Sequence, residues 1–117
     1  MENELVLFET KDEQVKLNVK LSEDNVWLTR NQMAELFDRD VKTIGKHIGN
    51  ALKEELDHSV VANFATTAAD GKNYKTEHYN LDMVISVGYR VKSRRGVEFR
   101  RWAVFVNPKL GQLLIEF

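Results

Sequence analysis

The stretch TRNQMAELFDRDVKTIGKHIGNAL, residues 29–52, predicts two short helices joined by a tight turn. Thr29 is a favourable N-cap, because its hydroxyl can accept a hydrogen bond from a free amide of the first turn. A first helix should run over residues 30–37. Asp38 suits the left-handed turn that follows, and Asp40 can cap a second helix that begins at Val41. This arrangement is typical of a helix-turn-helix.

Apolar residues recur at helical spacing in both predicted helices, so one face of each should be buried. These residues are Met33, Ala34, Leu36 and Phe37 in the first helix and Val41, Ile44, Ile48, Ala51 and Leu52 in the second.

The opposite face of the second helix carries cations and small residues. A helix of this kind suits the major groove of DNA, where Lys can reach phosphates or guanine acceptors. The alternative is an ordinary helical hairpin with a solvated lysine face. Two glycines in a helix interior cost up to about 1 kcal/mol each relative to Ala, and they either permit close approach to DNA or mark a helix held by its neighbours. Lys42, Lys46, Gly49 and Lys53 form the stripe, and Thr43, Gly45 and Asn50 flank it.

Composition places the chain among single-domain globular proteins. Its 117 residues suffice for a real core, and 43% apolar with 30% charged residues is the balance of a soluble domain. The absence of cysteine excludes a disulfide framework and fits a reducing compartment. No apolar run approaches membrane length, and the acidic N-terminus is unlike a signal peptide. We therefore expect a cytoplasmic protein without membrane contact.

Charge is unevenly distributed along the chain. The net charge of −1 argues against a nonspecific polyanion binder. A neutral total with a basic segment fits DNA binding through one face, and it equally fits a protein that simply distributes its charges. The basic segment is residues 90–101, which contain Arg90, Lys92, Arg94, Arg95, Arg100 and Arg101.

The segments on either side of the helix pair have strand periodicity. Strands are predicted at residues 4–8, 15–21 and 26–28, as a meander that covers one side of the helices and places Trp27 in the core. Later, residues 60–67 and 73–79 flank Asp70-Gly71, a hairpin signal because both turn residues tolerate positive φ. This hairpin lies where a wing would follow a helix-turn-helix, with Lys72 near its tip. A solvated surface hairpin is the alternative.

Two further helices are predicted in the C-terminal part. Asn80 can cap a helix over residues 81–88. A last helix, opened by Ser93 or Gly96, should end before Pro108. The predicted fold class is therefore α+β, with an N-terminal β-meander, a helix-turn-helix followed by a wing-like hairpin, and two C-terminal helices. The apolar stripe of the last helix is Phe99, Trp102, Ala103 and Val106.

Patterns of catalysis or metal binding are missing from the sequence. The histidines, His47, His58 and His78, lack metal-ligand spacing, and no Gly-rich phosphate loop is present. The carboxylates form no recognisable catalytic set, and no serine has a nucleophile-elbow context. We therefore expect no enzyme activity, no metal and no cofactor.

Two segments resemble a known family. VWLTRNQMAELFDRDVKTIGKHIGN (residues 26–50) and VVANFATTAADGKNYKTEHYNLDMVISVGYRVKSRRGVEFRRWA (residues 60–103) closely resemble the RhuM-like proteins of bacterial virulence islands and mobile elements. Those proteins are described as DNA-binding and sometimes occur in clusters with type I restriction-modification genes. Residues 79–103 are also similar to the N-terminal domains of phage antirepressors. The resemblance implies a single winged-helix-like domain over residues 1–103.

The chain departs from that family at two places. Asp38 replaces the Gly that often occupies the turn. After residue 103 the family continues with a longer helical segment, whereas this chain runs VFVNPKLGQLLIEF. Residues 104–117 are therefore an atypical tail, either a product of truncation or frameshift or a native segment that packs on the core or forms a dimer contact. Its apolar residues include Leu110, Leu113, Leu114, Ile115 and Phe117.

The leading hypothesis is a sequence-specific binder of double-stranded DNA that regulates transcription in a mobile element or virulence island. One such helix reads few base pairs, so useful specificity favours a homodimer on paired half-sites. The alternatives are an antirepressor-type module, whose residues 79–103 bind a regulatory protein, and a remnant whose functional part lay after residue 103. Lys42, Thr43, Lys46 and Asn50 would read base edges or adjacent phosphates, with His47 at the helix edge, and the DNA backbone would be held by Arg30, Lys53, Lys72, Arg94 and Arg95.

Overall fold

Five strands form one antiparallel sheet in the computed structural model, which describes residues 4–111. Their spatial order is β1-β2-β3-β5-β4, so β1 and β4 are the two edge strands. Pairing of β3 with β5, in which Trp27 lies opposite Asn80, joins the meander and the later hairpin into a single sheet. In chain order the strands are β1 (Glu4–Glu9), β2 (Lys16–Ser22), β3 (Asn25–Thr29), β4 (Val61–Thr67) and β5 (Asn73–Asn80).

Four α-helices and one turn of 3-10 helix accompany the sheet, and residues 109–111 are also helical. α1 packs on α2, and α3 packs on both α2 and α4. This architecture confirms the predicted mixed α+β class. The helices are α1 (Arg30–Phe37), α2 (Val41–Glu54), α3 (Leu81–Arg90) and α4 (Arg95–Val106), and the 3-10 turn is His58–Val60.

The helices cover one face of the sheet. Side chains alternate between faces along a strand, and residues paired directly across two strands share a face. Leu17, Val19, Val26, Leu28 and Tyr79 therefore all point towards the helices, and all are buried. Against them the helices supply the main core residues Met33, Leu36, Phe37, Ile44, Ile48, Ala51, Met83, Val84 and Phe99.

The other side of the sheet, which we call the open face, carries a small aromatic cluster. The ring of Phe64 meets Trp27 with centroids 5.3 Å apart and His78 with centroids 5.2 Å apart, both edge-on. The indole Nε1 of Trp27 donates to the Ser22 carbonyl at 2.9 Å. Trp27 is buried, as predicted, but it lies on the opposite face of the sheet from the main core.

Three sequence-based expectations need correction or completion. Val41 was predicted to be buried and is 37% exposed, because the first residue of α2 precedes the turns that pack against other helices. In the β4–β5 hairpin only Gly71 takes positive φ, at 82°, while Asp70 does not. Residues 104–106 belong to α4 and Leu110 packs into the core, whereas the predicted packing of residues 113–117 lies outside the described residues.

Candidate nucleic-acid interface

Both ends of α1 are fixed by local hydrogen bonds. Thr29 Oγ1 accepts from the Gln32 N–H at 3.1 Å, and Gln32 Oε1 accepts from the Thr29 N–H at 2.9 Å, which together form a capping box. At the other end Asp38 takes the left-handed conformation, with φ of 53°, and its N–H bonds back to the last turn. α1 and the left-handed turn therefore occupy the residues that the sequence predicts.

α2 is anchored through one face only. Asp40 Oδ2 accepts from the Lys42 N–H at 2.9 Å and caps its first turn. Ile44, Ile48 and Ala51 are buried in the core on the side where α2 packs against α1 and α3. The opposite face of α2 is consequently left to solvent.

The solvent face of α2 carries a row of three lysines. Lys42, Lys46, Gly49 and Lys53 are all exposed. Within residues 4–111, no carboxylate oxygen lies within 4.0 Å of any of these three ammonium groups. Binding to a phosphate would therefore break no ion pair of the described chain. Flanking this row, Thr43 is exposed, and His47 and Asn50 are half-buried.

Arg30 joins this surface from the start of α1. Its guanidinium lies over the backbone of α2, with Nη1 only 3.0 Å from the position that a Cβ on Gly45 would occupy. It also lies near the hydroxyl of Tyr79, which donates to Glu77 Oε1 at 2.8 Å. Burial and the bond to Glu77 raise the pKa of Tyr79, and the guanidinium partly opposes that shift. Arg30 thus lies against the helix that carries the lysine row, and we call Arg30, Lys42, Lys46 and Lys53 together the α2 surface.

The two arginines at the start of α4 have different surroundings. Arg95 is half-buried, donates to the Leu36 carbonyl at 3.2 Å, and pairs with Asp12 at 3.5 Å. These contacts tie α4 to the end of α1, so the Arg95 guanidinium is already engaged within the chain. Arg94 precedes α4 and is exposed.

A further arginine, which the sequence did not single out, holds the turn between α1 and α2. Arg39 donates through Nη1 to the Phe37 carbonyl at 2.9 Å and through Nη2 to the Val91 carbonyl at 3.0 Å. Its partners are backbone carbonyls, one of them 52 positions along the chain. No residue pattern marks such a contact, so sequence reasoning had no signal for it.

Lys72 lies apart from the α2 surface, at the tip of the β4–β5 hairpin. The Asp70 carboxylate organises the tip by accepting from the Lys72 N–H at 2.9 Å and from the Tyr74 hydroxyl at 3.0 Å. Lys72 is exposed. It is seven residues along the strand from Tyr79, where Arg30 lies, which corresponds to about 24 Å of extended chain.

One family model matches part of the chain. Residues 59–110 match the model of the Virulence protein RhuM family. The match covers the 3-10 turn, the β4–β5 hairpin, α3 and α4, and it leaves out the pair α1 and α2. It supports the RhuM-like resemblance noted for residues 60–103. No curated protein and no solved structure gives a match.

Between residues 4 and 111, no group of three or more His, Asp or Glu side chains is arranged to hold a metal ion. The same part of the chain contains no helix with the length and apolar character needed to cross a membrane.

Proposed function

We propose that this protein binds double-stranded DNA by placing α2 in the major groove, and that it regulates transcription of a mobile element or virulence island. The observation that carries the proposal is the α2 surface, whose cations lack internal carboxylate partners in the described chain. α1 and α2 together would act as a helix-turn-helix and the β4–β5 hairpin as its wing. The match of residues 59–110 to the RhuM family, whose name refers to virulence, supports the virulence-island setting of this proposal.

Each residue of the α2 surface has a role in this proposal. Lys42, Thr43, Lys46 and Asn50 lie on or beside the exposed row, so they would read base edges or adjacent phosphates, with His47 at the margin. Arg30, held against Gly45, would contact the sugar-phosphate backbone where α2 enters the groove. Lys53 would hold the backbone at the far end of α2, Lys72 would do so from the hairpin tip, and Arg94 would add a contact from the start of α4.

The proposal is tested by binding to random-sequence duplex DNA at two salt concentrations, followed by selection of the retained sequences. We expect enrichment of a short motif and an affinity that falls steeply as salt rises. The double variant K42A/K46A should weaken binding to the selected site and lower the salt slope by about one unit for each phosphate that the lysines no longer neutralise. K11A/K109A removes two exposed lysines outside the α2 surface and is the matched control. Equal affinities of the two double variants would overturn the groove assignment.

A second candidate function, capture of a regulatory protein, is favoured by a different surface. On α4, Phe105 is 85% exposed and stands beside Trp102, Val97 and Arg101 along one groove. An apolar groove whose rim carries both cations and the carboxylates of Glu9 and Glu98 suits a protein partner with an apolar anchor and charges of both signs around it. If this candidate is correct, R101E should abolish partner capture while DNA binding stays intact. Loss of DNA binding in that variant, with partner capture kept, would contradict it.

A further inference from the structure

Within residues 4–111, β4 is an edge strand that lacks the usual protection. Natural edge strands discourage pairing with other chains through charged side chains, proline or bulges. The strand Val61–Thr67, VANFATT, contains no charged residue, no proline and no glycine, and it pairs with β5 without a break in register. The opposite edge differs, because β1 carries Glu4 and Glu9 at its ends. β4 is therefore the edge of this sheet most open to strand addition.

The hydrogen bonds around β4 establish which of its backbone groups point outward. The N–H of Ala68 donates to the Lys72 carbonyl at 2.9 Å, so residue 68 faces β5. Because the direction alternates along an antiparallel strand, residues 66, 64 and 62 also face β5, whereas residues 67, 65, 63 and 61 face outward. Val61 agrees with this assignment, since its N–H bonds to the His58 carbonyl rather than to β5. Asn63, Ala65 and Thr67 thus present both backbone groups outward, and Val61 presents its carbonyl.

We infer that two copies of this chain associate by antiparallel pairing of β4 with β4, centred on Phe64. In this register Asn63 lies opposite Ala65 of the second copy and Val61 lies opposite Thr67, so every outward-facing residue meets another. The two strands exchange about six N–H···O bonds over their full length, the amide of Val61 being already engaged. Shifting the register by two residues leaves outward groups of Val61 or Thr67 without partners. The outward groups of β4 are therefore self-complementary.

The side chains fit the same register. Phe64 faces Phe64 of the second copy in a pair without direct hydrogen bonds, where the Cα atoms approach to about 4.5 Å. Each ring packs edge-on against Trp27 and His78 and its centroid lies 5.0 Å from Lys20 Nζ, so it leans over its own sheet and leaves room for the two Cα atoms to approach. Ala62 lies opposite Thr66 on the same face. Because β4 has no charged residue, the pairing brings no like charges together.

The contact would make a ten-stranded sheet with the helices of both copies on one side. This follows because the two Phe64 side chains share the open face, which places both sets of helices on the other face. The α2 surfaces of the two copies are then presented in the same general direction. The contact stands independently of DNA binding, since it uses no residue of the α2 surface.

The first test of the contact is self-association of A65P, measured by sedimentation over a range of concentrations. Proline at residue 65 removes an N–H that points away from β5, so the β4–β5 hairpin keeps its own hydrogen bonds. The full chain should be dimeric, and A65P should associate about tenfold or more weakly because each copy loses one inter-subunit bond. A65S keeps the N–H and is the matched control. A monomeric full chain, or equal association of all three proteins, would overturn the proposal.

Single-cysteine variants test the register, and they do so even if A65P fails to fold. The chain contains no cysteine, so there is no background cross-linking. A62C mixed with T66C should form a disulfide-linked dimer under mild oxidation, because directly opposed residues lie within disulfide range. Either variant alone should not, since residue 62 and its counterpart in the second copy would be about 14 Å apart along the strands. A62C linking to itself more readily than to T66C would contradict the register.

Discussion

The guanidinium of Arg30 lies directly over Gly45, with Nη1 at 3.0 Å and Cζ at 3.2 Å from the position of a Cβ on that glycine. This close approach of a cation to the α2 backbone needs a residue without a side chain. The contact with Arg30 therefore explains why glycine occupies position 45, although Ala is more favourable in a helix interior. The relationship links the first residue of α1 to the middle of α2.

Gly45→Ala should separate stability from binding. Ala in a helix interior is worth up to about 1 kcal/mol more than Gly, and the guanidinium that it meets is the flexible end of a long side chain. We expect the free energy of unfolding to stay level or rise slightly, while Arg30 is displaced and DNA affinity falls severalfold. Chemical denaturation and a DNA titration measure the two effects. A stable variant with full affinity would exclude Arg30 as a contact.

Gly49→Ala is the matched comparison on the same helix. A Cβ at this exposed glycine meets nothing within 4 Å in the described structure. We expect the full helix-propensity gain of up to about 1 kcal/mol in unfolding free energy. If the DNA backbone approaches α2 at Gly49, the DNA affinity of G49A should fall while its stability rises. An unchanged DNA affinity would place the DNA elsewhere along the helix.

Gly88 and Gly96 should respond differently to alanine although they face each other. A Cβ on Gly88 would lie 3.1 Å from Cζ of Phe37 and 3.4 Å from Cα of Gly96, in a buried site where α3, α4 and α1 meet. A Cβ on Gly96 would find only ordinary contacts at 3.6 Å. We expect G88A to lower the free energy of unfolding by about 1–3 kcal/mol through overpacking, and G96A to be close to neutral. Equal losses in thermal or chemical denaturation would refute this account.

The predicted positions of the helices follow from local chemistry. Thr29, Asp40 and Asn80 each cap a helix through their own side chains, so the starts of α1, α2 and α3 fall where the sequence places them. The left-handed turn at Asp38 is likewise a property of a few adjacent residues. Such features could be predicted because their partners lie within three positions along the chain.

Longer-range features were missed for a physical reason. The pairing of β3 with β5 joins strands separated by about forty residues. The alternation of apolar and polar residues in a strand predicts which face is buried, but not which other strand it pairs with. The contacts of Arg95 with the Leu36 carbonyl and Asp12 could not be predicted either. The sequence shows that residues 90–101 are basic, but not which of these cations bind partners within the fold. The exposure of the α2 lysines, by contrast, could be predicted from the sequence. Helical spacing places them on the face opposite the buried residues, so their ammonium groups reach solvent.

The turn between β2 and β3 should be open to stabilisation. Glu23 and Asp24 both take positive φ, at 54° and 60°, in the two-residue connection between paired Ser22 and Asn25. Such turns favour Asn-Gly, and glutamate is poorly suited to the left-handed region. We expect E23N/D24G to raise the free energy of unfolding by about 0.5–1 kcal/mol, measured by chemical denaturation. E23A keeps the backbone strain and should show no gain.

His78 should make the stability of the protein depend on pH below neutrality. The residue is 4% exposed, and its ring stands edge-on to Phe64 and donates from Nδ1 to the Thr76 carbonyl at 2.8 Å. Burial lowers the pKa of His78 below its ordinary value of 6.5, and the bond to Thr76 only partly opposes this shift. The unfolded chain therefore binds the proton more readily, so stability is fully present above pH 6.5 and is lost as pH falls through the lower, folded pKa.

Denaturation at several pH values between 7.5 and 5 measures this loss, and H78Q should flatten the decline. H58Q is the control, because His58 is exposed and its replacement leaves the aromatic cluster intact. Phe64 touches His78 and is also the centre of the proposed β4 pairing, so the pH series belongs at a protein concentration where the chain is monomeric. A decline of equal steepness in H78Q and the unaltered protein would assign the proton uptake to another group.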